Sequence, residues 1–485
     1  LHFNFMEKNQ DPFYLGGPGS SAISDNSETF LTRDAESTLG GGGAKPAKEE
    51  GDERKLSFQV EYRSWLKRTF GPMKPGSVRA SIFSLVSTAL GTGILTLPYL
   101  LRTSGLVLGL SFLVLGAILC QVSLSMLSYC SFKTQEKEYS ALVEKVLGKK
   151  AAKLMDYIMV FYGFGSSTGY QITIAQFFPI IIAKLNGVEF YDQPTWQRIV
   201  QIAVVTLIAF PVSLTKNLYG IRYATYFGVA MIFYTLMVVV IQTPTYISEN
   251  NSLDHVVYSR WNLNFFTSFA IASFTYTCHS NLFPVRSELA RAKDARLKKV
   301  VARVVIVQSF LYFTMAICGY LSLTNQAPAL IVMRPKLASV SFDWVMLLAL
   351  LAISFTLVIS IIINIVPTRL QVLLMMGKAK DTDAKTFNIV TIILVFGTGF
   401  VAMVAKDIKA ALGLIGGVGS VSLSITFPFL LYAKVKELDT EDNSASKIWI
   451  VRGCRILAVV FSLLGTAGAL ISCGQAIDLI DKYEQ

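Results

Sequence analysis

Ser87-Thr88-Ala89-Leu90-Gly91-Thr92-Gly93-Ile94-Leu95-Thr96-Leu97-Pro98 lies in the middle of the first apolar segment long enough to cross a bilayer. It sets two glycines, several hydroxyls and a proline at a depth where lipid offers no hydrogen-bonding partner. A glycine pair lets the helix unwind there, and unwound backbone is tolerated only where protein or a watery cavity surrounds it. The opened helix frees carbonyls at the end of its first half and N–H groups at the start of its second, so a cation and an anion can both be held. Paired broken helices point to the binding site of a secondary transporter.

The rest of the chain fits that environment. Of 485 residues, 53% are hydrophobic and mean hydropathy is +0.51, which calls for several membrane spans. The net charge of +12 gathers in particular loops, so it reports orientation and no nucleic-acid partner is expected. Cys120, Cys130, Cys278, Cys318, Cys454 and Cys473 lie in or at the ends of apolar segments without a CxxC pair. They read as buried thiols, with neither a disulfide framework nor a metal site indicated.

Residues 1–75 are polar and glycine-rich and cannot fold alone; we read them as a disordered cytoplasmic tail whose protein partners are unknown. Met6 reads as the start, and no signal peptide is expected because the first apolar run begins only at Ser81. Residues 76–485 read as the transporter domain. Eleven spans are expected, over 79–103, 105–132, 152–183, 199–215, 219–243, 263–284, 300–324, 341–366, 387–405, 408–432 and 449–475. With the N-terminus cytoplasmic, inside loops carry 23 basic residues against nine outside, which predicts an outside or lumenal C-terminus. The Asn250-Asn251-Ser252 sequon then falls outside. Plasma membrane and vacuolar or lysosomal membrane fit that orientation equally.

Spans one to five cover 165 residues (79–243) and spans six to ten cover 170 (263–432). A repeat of five helices must be inverted relative to its copy. Span six is then the partner of span one, and its Phe274-Thr275-Tyr276-Thr277-Cys278-His279-Ser280-Asn281-Leu282-Phe283-Pro284 is polar and closed by proline. The expected fold is an all-α integral membrane protein, a 5+5 inverted repeat with broken helices 1 and 6 and an extra helix at 449–475.

No Asp or Glu falls in the middle of a span, so helix termini must match any charge on the substrate. The N–H groups of Thr92, Gly93 and Ile94 suit a carboxylate, and the carbonyls around Phe274 and Thr275 suit an ammonium. Together they describe an amino acid zwitterion. Read alone, Gly91 and Gly93 equally fit close helix packing. His279, the histidine at bilayer depth, either relays a proton or hydrogen-bonds the broken backbone, while Asn281 and Pro284 shape the break. Thr356 and Ser360 share a face of span eight and could complete an oxygen cage for Na⁺, though such hydroxyls also bond back to their own helix. Tyr162, Ser166, Ser167 and Tyr170 in span three fit a cavity wall or plain packing. The basic run from Arg286 to Lys299 reads as an amphipathic segment on the cytoplasmic membrane surface.

Gly91-Thr92-Gly93-Ile94-Leu95 with Leu97-Pro98, and Phe274 to Leu289 read as F-x-x-x-C-H-x-N-x-x-P-x-x-x-E-L, closely resemble the auxin/amino acid permease family, and within it the sodium-coupled neutral amino acid transporters. The resemblance implies the inverted-repeat fold of the amino acid–polyamine–organocation superfamily. It implies a substrate carboxylate held at Gly91, Thr92 and Gly93 and an amine at the Phe274 carbonyl region. Pro367-Thr368-Arg369 resembles the family's Pro-x-Arg and sets Ser360 where a threonine ligand for Na⁺ is expected. Where sodium-coupled members usually carry asparagine, four residues before the first glycine, this chain has Ser87, which leaves Na⁺ and H⁺ coupling both open. The expected function is ion-coupled secondary transport of neutral L-amino acids by alternating access, with no covalent chemistry and no cofactor beyond the coupling ion. The alternative is a transport-inactive amino acid sensor or membrane-complex subunit of the same fold; a channel is disfavoured because no filter row is present.

Overall fold

The computed structural model describes residues 76–185, 198–199, 202–203, 205–214, 221–337, 339, 343–378, 382–405, 408–439 and 445–476. The expectations for the tail 1–75 and for positions 200, 201, 204 and 215 of span four lie outside these residues, as do some of the loop charges counted for orientation.

Span one is two helices, α1 (Val78–Ala89) and α2 (Thr92–Ser104), bent by 56° where they meet. Ser77 starts α1 by accepting the Ala80 N–H at 3.2 Å, which satisfies one of the orphan donors of the first turn. At the other end Gly91 leaves the helical region (φ −132°, ψ −148°), and α2 begins afresh at Thr92. The sequence therefore puts the break where the glycine is. A single residue, Gly105, joins α2 to α3 (Leu106–Thr134) at φ +84°, and a Cβ there would stand 2.7 Å from the Ser259 backbone. Backbone bonds of 2.8 Å from Leu106 N to Val257 O, Val107 N to Tyr258 O and Arg260 N to Ser104 O stitch this joint to the segment leading into span six.

The loop after span two holds a short helix that the sequence reading passed over, α4 (Tyr139–Leu147), with Tyr139, Leu142, Val143 and Val146 buried on one face. Then come α5 (Lys149–Leu185), α6 (Phe210–Ser213) and α7 (Ile221–Asn250). Span six divides into α8 (Asn264–Thr275) and α9 (Leu282–Glu288), parted by Tyr276–Cys278 and a tight turn at His279–Asn281. After α10 (Asp294–Leu323), α11 (Trp344–Met375) and α12 (Ala384–Val404), span ten opens as α13 (Ile408–Leu414), widens into π turns over Ile415–Ser420 and Ser422–Thr426, and closes as α14 (Phe427–Leu438). The final helix is α15 (Ala445–Ala476).

Among the described residues, seven helices can cross a membrane by length and composition, and the bent α1–α2 pair makes an eighth. Large apolar side chains stand exposed on the outer helices, among them Phe310, Phe400 and Leu463, an arrangement suited to lipid. The chain is an all-helical multi-pass membrane protein. Span ten carries π turns, and within them Gly416 and Gly417 lie against the carbonyls of Ala270 and Gly465 with no room for side chains. One expectation changes. The basic segment after span six is no single surface helix: it turns at Leu289–Lys293, Ala290 N bonds Gly76 O at 3.0 Å, and Arg286 and Leu289 are buried.

Candidate functional site

The two interrupted helices touch. A Cβ at Gly93 would stand 2.9 Å from Thr275 Oγ1 and 3.2 Å from Thr275 Cα, so the start of α2 lies directly against the end of α8. A Cβ at Gly91 would stand 2.9 Å from the Tyr170 hydroxyl. Spans one, three and six thus meet at one place.

On its donor side, the first N–H groups of α2, those of Thr92, Gly93 and Ile94, have no helical acceptor, and the aligned peptide dipoles make this end positive. The Thr92 hydroxyl beside them is fully buried and has no hydrogen-bond partner among the described residues. A carboxylate would satisfy both. On the acceptor side, Phe274 O receives the Thr277 N–H at 3.1 Å and Thr275 O receives the Tyr312 hydroxyl at 2.9 Å. Thr275 O keeps a second lone pair, while Phe274 O also receives the Tyr276 N–H. Thr275 Oγ1 donates to Ile271 O at 2.8 Å, which fixes the side chain facing Gly93.

The hydroxyls read as ion ligands each donate to a carbonyl of their own helix: Ser87 to Ser84 O at 2.9 Å, Thr356 to Ala352 O at 2.9 Å and Ser360 to Thr356 O at 2.9 Å. Donation leaves their oxygen lone pairs available to a cation. Thr356 faces Gly228 on α7, with its oxygen 3.5 Å from the Gly228 carbonyl. His279 is fully buried, with Nε2 2.6 Å from Ser123 Oγ. Ser123 has one hydrogen and a carbonyl, Leu119 O, at 2.6 Å to receive it, so the network assigns Nε2–H as donor and leaves Nδ1 without a partner among the described residues. The histidine therefore joins spans two and six.

Two participants are absent from the residues the sequence singles out. Tyr312, one aromatic among many in span seven, places its hydroxyl 3.0 Å from Ala89 O and 2.9 Å from Thr275 O. Ser420, in the wide turn of span ten, bonds Ser273 O at 3.2 Å and the Thr277 hydroxyl. The glycine and serine run Gly416-Gly417-Val418-Gly419-Ser420 was the available hint.

The two ends of this region differ. Outside it, Ala327, Leu330, Ile331 and Val332 are fully buried; Arg102 donates to Ala327 O at 3.0 Å, Arg260 to Asn325 at 2.7 Å, and Ser104 to Ser268 at 2.7 Å. Buried Arg334 donates to Gln242 Oε1 at 2.6 Å, and the Gln242 amide nitrogen reaches both Asp343 oxygens at 3.2 Å. Along α1, by contrast, the hydroxyl-bearing Ser84 and Thr88 are exposed, while every residue from Thr92 to Leu101 is buried.

A family model described as transmembrane amino acid transporter protein matches residues 74–473. A Toxoplasma gondii protein named for amino acid transport, AAT1, is 27% identical over 304 residues, 63% of this chain and 41% of that one. Human solute carrier family 38 member 10 is 22% identical over 397 residues, 79% of this chain and 34% of that one. Vacuolar amino acid transporter 6 of Saccharomyces cerevisiae is 23% identical over 294 residues, 58% of this chain and 64% of that one. The matches therefore span less than two thirds of each relative. The crystal structure of MhsT in complex with L-phenylalanine superposes with a TM-score of 0.57 over 80% of this chain and 98% of that one, at 13% identity, a likeness of fold. With the family match running from just before α1 into α15, the chain belongs to the transmembrane amino acid transporter family, whose members are transporters and not enzymes.

Proposed function

We propose that the chain carries neutral L-amino acids across its membrane by alternating access, coupled to an Na⁺ or H⁺ gradient. The observation that carries the reading is the contact between the two breaks. The free N–H end of α2 with the unpartnered Thr92 hydroxyl faces the carbonyl end of α8 across Gly93 and Thr275. Gly91, Thr92, Gly93 and Ile94 hold the carboxylate, and the carbonyl region at Phe274 and Thr275 takes the amine. For Na⁺ the ligands are Ser87, Thr356 and Ser360; for H⁺ the relay is His279.

Eleven spans in a 5+5 inverted repeat form the frame, with the N-terminus cytoplasmic and the C-terminus outside or lumenal. In support, the first halves of spans one and six are both 12-residue helices ending at a break. The sealed loop at 324–337 and the exposed hydroxyls of α1 fit a state open along α1 and closed at the opposite end. Uptake of labelled neutral amino acids into proteoliposomes, under an imposed Na⁺ gradient or an imposed pH gradient, tests the whole reading. Accumulation under one gradient names the ion; binding without accumulation under either overturns it.

A further inference from the structure

The carbonyl ends of two helices converge on one phenol. Ala89 O closes the first half of span one and Thr275 O closes the first half of span six, and both lie within 3.0 Å of the Tyr312 oxygen. Helix C-termini carry a partial negative charge, so two of them aimed at one point repel unless something positive lies between. All three residues are buried, Tyr312 completely, and water does not screen them. Oxygen pairs in such a setting call for a donated hydrogen or a hard cation.

We infer that Tyr312 is a positioning residue whose phenol hydrogen takes, between the Ala89 and Thr275 carbonyls, the place a small monovalent cation would otherwise occupy, and so fixes the spacing of the two broken helices. The inference rests on the reading of these breaks as the substrate site. The hydroxyl has a single hydrogen to share between two acceptors, which makes it a weak but permanent substitute for an ion. Its ring is held edge-on against Tyr276 at 5.1 Å, so the hydroxyl cannot swing clear without disturbing the break in span six. Tyr320 lies two turns further along the same helix, equally buried, and bonds Val257 away from both breaks.

The test compares wild type, Tyr312→Phe and Tyr320→Phe, purified in choline, sodium or lithium chloride. The substrate-free thermal midpoint and the affinity for neutral amino acids are both measured. In Tyr312→Phe the midpoint should fall in choline and rise in sodium or lithium by more than in the other two proteins. Its amino acid affinity should weaken at least tenfold in choline and recover in high sodium or lithium. An equal cation response in all three proteins, or the same loss in Tyr320→Phe, overturns the inference. If Tyr312→Phe is recovered as a monodisperse protein only in sodium or lithium, that supports it; failure in every salt overturns it. Should wild type bind no amino acid, the proposed function falls, while the midpoints still decide the role of Tyr312.

Discussion

Replacing Gly93 with alanine adds one methyl group where the two breaks touch. The new Cβ would stand 2.9 Å from Thr275 Oγ1, 3.2 Å from its Cα and 3.3 Å from its Cβ. Comfortable contacts begin at about 3.5 Å, so α2 and α8 must part by roughly half an ångström. Because one of the three atoms is backbone, no rotation of Thr275 relieves the contact. Thr275 O receives the Tyr312 hydroxyl at 2.9 Å, and the same displacement carries that bond to the edge of hydrogen-bonding range. Overpacking costs about 1–3 kcal/mol and a lost buried hydrogen bond about 1 kcal/mol, so the contact between the breaks should weaken by about 2–4 kcal/mol. The assay is uptake into proteoliposomes together with the thermal midpoint of the purified protein, and uptake should fall by at least about thirtyfold. Gly91→Ala is the comparison: its Cβ meets the end of the Tyr170 side chain at 2.9 Å, which can pivot, and the expected cost is about 1 kcal/mol. Adding Thr275→Gly to Gly93→Ala should restore part of the midpoint, since it removes the opposing side chain. Wild-type uptake in Gly93→Ala, or a larger loss in Gly91→Ala, would refute the reasoning.

Gln242→Ala removes the amide that holds both Arg334 and Asp343 at the sealed end, leaving two charges less well paired, and should lower stability by about 2–3 kcal/mol in a thermal melt. His279→Gln should lower stability in a thermal melt by about 1–2 kcal/mol through the Ser123 contact; under Na⁺ coupling the shape of the uptake pH profile should stay intact, and under H⁺ coupling it should move. Asp383 caps α12, and bonds from the Thr386 side chain and N–H hold its carboxyl below the usual 3.8. A depressed native value means that stabilisation is complete above the unfolded value and lost as pH falls through the native one. Hydrogen exchange at the start of α12 should accordingly speed up, beyond its intrinsic change, as pH falls below the usual carboxyl value of 3.8, and lose that difference in Asp383→Asn.

The breaks were legible because backbone freedom is written in residue type. Gly91 and Gly93 announced the first, and the polar run closed by Pro284 announced the second, where the structure leaves the helix at Tyr276 and resumes it at Leu282. Apolar length marked most of the remaining spans. The helix Tyr139–Leu147 is written in the spacing of its four buried residues, but it sits in a loop rich in lysine, where charge masks the periodicity. Other features are properties of pairs of helices and appear in no single segment. Tyr312 matters because two distant carbonyls come to it, and the π turns of span ten arise where Gly416 meets Ala270. The turn after α9 likewise depends on Gly76, more than two hundred positions earlier in the chain, accepting the Ala290 N–H.

The joint at Gly105 bears on how this chain can drift over generations. Its three stitches to Val257, Tyr258 and Arg260 run from backbone to backbone, so they belong to no particular side chain. Tyr258 and Ser259 can therefore exchange for most other residues while the knot stays tied, although proline is barred from 106, 107 and 260, where an N–H is spent. Gly105 has no such latitude: its φ of +84° and the 2.7 Å to Ser259 admit no other residue without a shift of the main chain. A saturation library across 105–107 and 257–259 should return one fixed letter among replaceable ones, while Ser104 and Arg260 stay constrained by their own side-chain bonds to Ser268 and Asn325.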